Sequence, residues 1–159
     1  MPARAARTIV SLLRDRSETL CVAESLTGGG LGAAITAVPG ASDIFIGGIT
    51  AYQPQIKESL LNVPHSLIVD FSIVSEEVAM AMAQGVHGLL GATWAIATTG
   101  VAGPGPAEGH SAGTVWVAIY GPIKQSIQLQ IDGEREVVRN ATVSSAITTF
   151  ARILSSRTT

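Results

Sequence analysis

Cysteine, aromatic rings and charge are all scarce in this chain of 159 residues, which holds one Cys, 4% aromatic residues and 14% charged ones. A lone Cys21 excludes an internal disulfide and fits a reducing, cytoplasmic setting, where it reads as a small apolar residue inside a strand. The shortage of charge, with a net charge of −2 and an isoelectric point near 5.9, excludes an electrostatic nucleic-acid binder. His65, His87 and His110 are scattered without ligand spacing, so neither a metal site nor another cofactor is expected. No Walker-type phosphate loop occurs. Gly28, Gly30 and Ala33 mimic a dinucleotide-binding glycine pattern, but no acidic residue ends a second strand about 20 residues later.

Long apolar runs are missing too. From Val78 to Ala107 there is no Asp, Glu, Lys or Arg, yet Gln84, His87 and several glycines interrupt the stretch before the roughly 20 apolar residues of a membrane span. It reads as a buried helix followed by a central strand, with surplus apolar surface available for a subunit contact. Residues 1–18 show an Arg-bearing amphipathic pattern instead of a basic tip and an apolar block, so no signal peptide is expected.

What the chain does have is apolar content: 47% of residues, with a mean hydropathy of +0.39. That suffices for a core, and the length is that of about one domain, here residues 1–159, since no repeat or linker divides it. Ile9, Val10, Leu12 and Leu13 mark a first helix, and Thr19 to Ala23 a short buried strand. A helix over Thr27 to Val38 stops at Pro39-Gly40, and Phe45 to Tyr52 is strand-like. Pro54 to Leu61 is a short helix with proline in its first turn. Ser75 is the N-cap of a helix from Glu76 to Leu90, and Trp94 to Thr98 is a second buried strand. Thr114 to Tyr120 and Gln125 to Ile131 pair as a hairpin, and Glu134 to Leu154 closes the chain as a helix. This alternation predicts an α/β fold, a three-layer α/β/α sandwich with a mixed sheet. Ligands in such folds collect at the carboxyl ends of strands, so the loops there hold the candidates.

Four segments qualify. Ser25, after the first strand and before Thr27-Gly28-Gly29, is placed as a nucleophile beside amides that face an oxyanion or a phosphate, or else Ser25 or Thr27 simply caps the helix. Tyr52 and Lys57 follow the next strand; a lysine in an apolar site loses its proton near neutral pH and acts as a base, whereas an exposed one pairs with Glu58 or solvent. The Thr98-Thr99-Gly100 to Gly103-Pro104 loop, with Gly113-Thr114, brings backbone and hydroxyls toward a ligand. Arg135 and Arg139, one helical turn apart, either grip a phosphate or form a solvated face with Glu134 and Glu136. Charge scarcity sharpens the choice. Only Lys57, Lys124, Arg135 and Arg139 are cationic between residues 17 and 151, and Lys124 reads as surface.

Taken in order, Ala23-Glu24-Ser25-x-Thr27-Gly28-Gly29, Val38-Pro39-Gly40, Tyr52-x-x-x-x-Lys57, Val74-Ser75, Gly100-Val101-Ala102-Gly103-Pro104, Gly113-Thr114-Val115-Trp116 and Gly133-Glu134-Arg135-x-x-Val138-Arg139 cover nearly the whole chain. The set resembles the carboxy-terminal domain family of the competence/damage-inducible protein CinA, whose stand-alone members include nicotinamide-nucleotide amidases. That resemblance implies hydrolysis of the carboxamide of nicotinamide mononucleotide to nicotinate mononucleotide and ammonia, without metal or cofactor. Carried over by position, Ser25 is the nucleophile and Tyr52 and Lys57 are its acid/base partners. Thr27, Gly28, Gly29, Thr99, Gly100, Gly103, Thr114, Arg135 and Arg139 bind substrate. A homodimer with a small-molecule nucleotide substrate, and no nucleic-acid or membrane partner, is implied as well. The separate pyrophosphatase domain of two-domain relatives is not expected here. Two departures stand at the substrate edge: Pro54, where relatives have Asn, and His110-Ser111-Ala112, where they have Lys-Pro-Val. They leave open an alternative, a nucleotide-binding or regulatory module that does not turn its ligand over.

Overall fold

The computed structural model describes residues 2–157. Its elements run α1 (Pro2–Asp15), β1 (Leu20–Glu24), α2 (Gly30–Thr36), β2 (Phe45–Thr50), α3 (Pro54–Ser59), α4 (His65–Phe71), α5 (Glu76–Leu90), β3 (Trp94–Gly100), β4 (Thr114–Tyr120), β5 (Gln125–Gln130) and α6 (Arg135–Ser156). The five strands form one mixed sheet in the order β2-β1-β3-β4-β5. β1 runs parallel to both β2 and β3, whereas β4 and β5 are antiparallel additions. The expected α/β/α architecture is therefore present.

Strand alternation explains the layers. Leu20, Val22, Trp94, Ile96, Val115, Val117 and Ile119 point to one face, where they pack with α1, α2 and α6. Cys21, Ala23, Ala95, Ala97 and Ala118 point to the other. These small residues leave room for α5 to lie close against the sheet, and α5 answers with Val78, Ala79, Met82, Ala83 and Val86. Burial among them pushes the Cys21 thiol up to about 11, in keeping with a core residue. Ser75 caps α5 as expected, its Oγ accepting from the Val78 amide at 3.2 Å.

Three expectations shift. α2 begins at Gly30, not Thr27, because Gly28 (φ 59°) and Gly29 (φ 99°) adopt left-handed conformations that keep the chain in a turn after β1. β2 ends at Thr50, before Tyr52. α4 was not anticipated; it bears no fully buried side chain, so its sequence carries little amphipathic signal.

β1 sits between β2 and β3, and the chain leaves it through α2 on one face and returns from β2 to β3 through α3, α4 and α5 on the other. The carboxyl end of β1 is thus the point where the winding direction reverses, and a crevice opens there. The segment joining α3 to α4 presses on α5 at Gly85, where a Cβ would collide with the Leu61 carbonyl oxygen. Gly88, one turn on, faces open space. Gly85→Ala is expected to lower stability by about 1–3 kcal/mol through overpacking, and Gly88→Ala to leave it equal or raised by roughly 0.5–1 kcal/mol. Urea denaturation of the two variants reads both signs.

Candidate active site

The crevice holds a cavity of about 340 Å³. Ser25 and Leu26 directly follow β1, Tyr52, Pro54 and Lys57 come from the segment after β2, and Thr99 to Glu108 from the end of β3 and the segment beyond it. Ile73, Val74 and Arg135 complete the walls. Three consecutive parallel strands therefore deliver the site residues to one place.

Lys57 is the unusual member. Proline at the first position of α3 starts the helix without leaving an amide unpaired, and one turn later Lys57 points inward, only 1% exposed. Its Nζ donates to the Ala51 carbonyl at 2.7 Å, the Tyr52 carbonyl at 3.1 Å and Ser25 Oγ at 2.9 Å. Burial pushes the ammonium down from an ordinary value of 10.5 to about 8. Once the amine is neutral, its two protons satisfy the two carbonyls and its lone pair faces the Ser25 hydroxyl. The geometry is that of a serine with a lysine base.

Ser25 is itself held. Its amide donates to Thr98 Oγ1 at 3.4 Å, and that hydroxyl pairs with Thr27 Oγ1 at 2.8 Å. The Glu24 carbonyl accepts from the Ala51 amide at 2.8 Å, which ties the end of β1 to the carbonyl that binds Lys57. The buried Glu24 carboxylate accepts from the amides of Leu31 at 2.8 Å and Gly32 at 3.1 Å. It caps α2, a role that neither Ser25 nor Thr27 takes, and it fills the positive end of that helix. Only an acidic residue between a buried strand and a glycine-rich turn hinted at this in the sequence.

The remaining predicted residues divide. Thr99, Gly100, Gly103 and Arg135 line the cavity with Ser25, Tyr52 and Lys57. Thr27, Gly28, Gly29, Thr114 and Arg139 lie off its walls. The Gly28 amide donates to the Ser25 carbonyl at 3.0 Å and is thereby occupied. Thr114 Oγ1 bonds Gln130 and Ser111. Arg139 donates from Nε to the Leu26 carbonyl at 3.0 Å and from a terminal nitrogen to the Thr27 carbonyl at 3.4 Å, so it clamps the Ser25 turn from α6. The Tyr52 phenol accepts from Arg135 at 3.0 Å while another Arg135 nitrogen donates to the Gly103 carbonyl, a bridge across the cavity mouth. Lys57 touches the backbone of Tyr52, not its ring. Among the described residues no three His, Cys, Asp or Glu side chains gather as metal ligands, and no helix is long and apolar enough to cross a membrane.

A buried serine–lysine pair therefore sits at the switch point of a mixed α/β sheet, the place where proteins of this α/β class bind their ligands. Residues 3–154 match the family model of the CinA C-terminal domain, and the chain belongs to that family. A CinA-like protein of Synechocystis is 46% identical over 156 residues, 95% of this chain and 38% of its own length. One from Frankia casuarinae is 44% identical over 149 residues, 92% of this chain and 34% of its own. The chain thus spans little more than a third of these relatives. Among solved structures, the competence damage-inducible protein A of Klebsiella pneumoniae superposes with a TM-score of 0.94 at 30% identity, covering 99% of each chain. The competence/damage inducible protein CihA of Agrobacterium tumefaciens gives 0.91 at 28% identity, covering 97% of this chain and 95% of its own.

The Lys57 environment also sets a stability signature. Below about pH 8 folded and unfolded chains both carry the ammonium, and the desolvation cost persists in full. As pH rises from about 8 to 10.5 the folded chain releases the Lys57 proton while the unfolded chain keeps it, so the Lys57 contribution to stability rises with pH, opposed above pH 9 by Cys21, whose buried thiol holds its proton to about 11. The Lys57 contribution over that window is about 3 kcal/mol, and it is read as the wild-type curve minus that of Lys57→Met, which keeps the Cys21 contribution and lacks this one. Denaturation midpoints of both proteins, compared across the window, measure the difference.

Proposed function

We propose that the protein hydrolyses the carboxamide of nicotinamide mononucleotide, giving nicotinate mononucleotide and ammonia. The observation that carries this reading is the 2.9 Å contact between a buried, easily deprotonated Lys57 and Ser25 Oγ inside the cavity. A carboxamide is a poor electrophile, so its hydrolysis needs an activated oxygen, a proton for the departing nitrogen and donors for the oxyanion. Neutral Lys57 takes the Ser25 proton as Oγ attacks the amide carbon. The resulting ammonium returns a proton to the leaving nitrogen, the C–N bond breaks and ammonia departs. Water, deprotonated by the same amine, cleaves the Ser25 ester, and the hydroxyl recovers its proton.

Arg135 supports the nucleotide part of the reading. It is the cation at the cavity mouth, with two nitrogens engaged by Tyr52 and Gly103 and the rest of its guanidinium open to a 5′-phosphate. The Tyr52 phenol fixes that guanidinium by accepting its hydrogen bond at 3.0 Å. Pro54 lies in the wall at the first position of α3, where a backbone N–H has no helical partner, so its lack of an amide costs the fold nothing.

The purified protein is expected to release ammonia from nicotinamide mononucleotide, with kcat/KM rising to a plateau through an apparent pKa near 8. Ser25→Ala and Lys57→Arg are each expected to reduce the rate by about a thousandfold, the arginine because it does not deprotonate. Calorimetric binding of the nucleotide with no ammonia above the Ser25→Ala level would replace the hydrolase with a binding module.

A further inference from the structure

Ser72, between α4 and α5, has φ 77° and ψ 153°. That conformation is essentially reserved for glycine, because a Cβ there crowds the backbone. Ser72 Oγ accepts from the Val74 amide at 3.3 Å, shares a hydrogen bond with His110 Nε2 at 3.1 Å and lies 3.5 Å from the Glu108 carbonyl. The Ser72 carbonyl accepts from Ser75 Oγ at 2.7 Å, which locks the residue to the cap of α5.

Across the cavity, residues Gly100 to Glu108 form the outer wall. Its base is fixed by the Gly113 amide on the Val101 carbonyl at 2.7 Å and by Arg135 on Gly103. Its tip is a small hairpin in which Ala107 and His110 exchange backbone bonds of 3.0 and 2.9 Å around Glu108 (φ 52°) and Gly109 (φ 77°). Among the described residues, every hydrogen bond from this tip to a distant part of the chain runs to Ser72. Ser72 is also followed directly by Ile73 and Val74, which line the opposite wall. One strained side chain therefore joins the two walls at their outer edge. His110, one of the positions where the chain departs from the family pattern, supplies the other half of the contact.

We propose that Ser72 is a positioning residue that anchors the 107–110 hairpin through His110 and so holds the outer wall of the substrate cavity at its binding width. This rests on the reading of that cavity as the substrate site. The anchor touches neither Ser25 nor Lys57, so it governs how well substrate is held, not how fast bound substrate reacts.

The test combines steady-state kinetics, thermal unfolding and amide hydrogen exchange on Ser72→Gly, His110→Ala, His110→Gln and the Ser72→Gly/His110→Ala double variant. Ser72→Gly removes the strain and the anchor together. It is expected to unfold at an equal or higher temperature while KM for nicotinamide mononucleotide rises about fivefold as the Glu108 and His110 contacts are lost, with kcat kept. His110→Ala, which leaves the Glu108 carbonyl bonded to Ser72, is expected to raise KM by no more than that factor, and the double variant no further than Ser72→Gly, because Ser72→Gly already removes the His110 contact. His110→Gln, whose amide still reaches the hydroxyl, restores the wild-type KM. Exchange of the 107–110 amides is expected to quicken in Ser72→Gly and His110→Ala, with α5 unchanged. An unchanged KM in both single variants, additive effects in the double, or unchanged exchange in the hairpin overturns the anchor. Should the wild type release no ammonia, the amidase reading fails while the exchange measurement still decides the anchor.

Discussion

A lysine amine taken out of water must find acceptors for its N–H groups, and Lys57 finds three: two successive backbone carbonyls and the hydroxyl of Ser25. Most of the surrounding structure is organised around that requirement. The carbonyls belong to Ala51 and Tyr52, directly beyond β2, and the Ala51 amide is bonded back to the end of β1. The strand pairing that builds the sheet therefore also sets the distance between base and nucleophile. The cost of desolvation, expressed in the lowered pKa, is what leaves the amine able to accept a proton near neutrality.

The few other charges of the interior serve placement. Glu24 closes the amino end of α2 and Arg139 grips the carbonyls of Leu26 and Thr27, so the turn that bears Ser25 is held from both sides by ionic groups hydrogen-bonded to backbone. Such bonds restrict a glycine-rich turn that would otherwise be loose, since Gly28 and Gly29 lose much conformational freedom on folding. The close approach is mutual: a Cβ at Gly28 would come within 3.1 Å of the Arg139 guanidinium. Arg135, one turn earlier on α6, remains at the cavity mouth. Two arginines spaced for the same task thus hold different positions, because α6 passes the Ser25 turn with one and the cavity with the other.

Much of this was legible in residue order. Apolar periodicity, proline and glycine punctuation and the Ser75 cap locate ten of the eleven principal elements, and α4 is the exception because no side chain of it is fully buried. The scarcity of cations singled out Lys57, and the strand-end position singled out Ser25. Less legible was what each polar side chain would find as a partner. Thr114 and the Gly28 amide looked open to a ligand, and instead they are satisfied within the protein by Gln130, Ser111 and the Ser25 carbonyl.

The sequence by itself determined the alternation of strands and helices, the family and the short list of polar residues at strand ends, because these follow from local patterning and from motif order along the chain. Only the tertiary structure decided which of those residues meet. Lys57 reaches Ser25 across 32 positions, Arg139 reaches Leu26 across 113, and Ser72 reaches His110 across 38. Each contact depends on strand order and on the direction in which a buried side chain leaves its backbone, quantities that spacing in sequence does not carry.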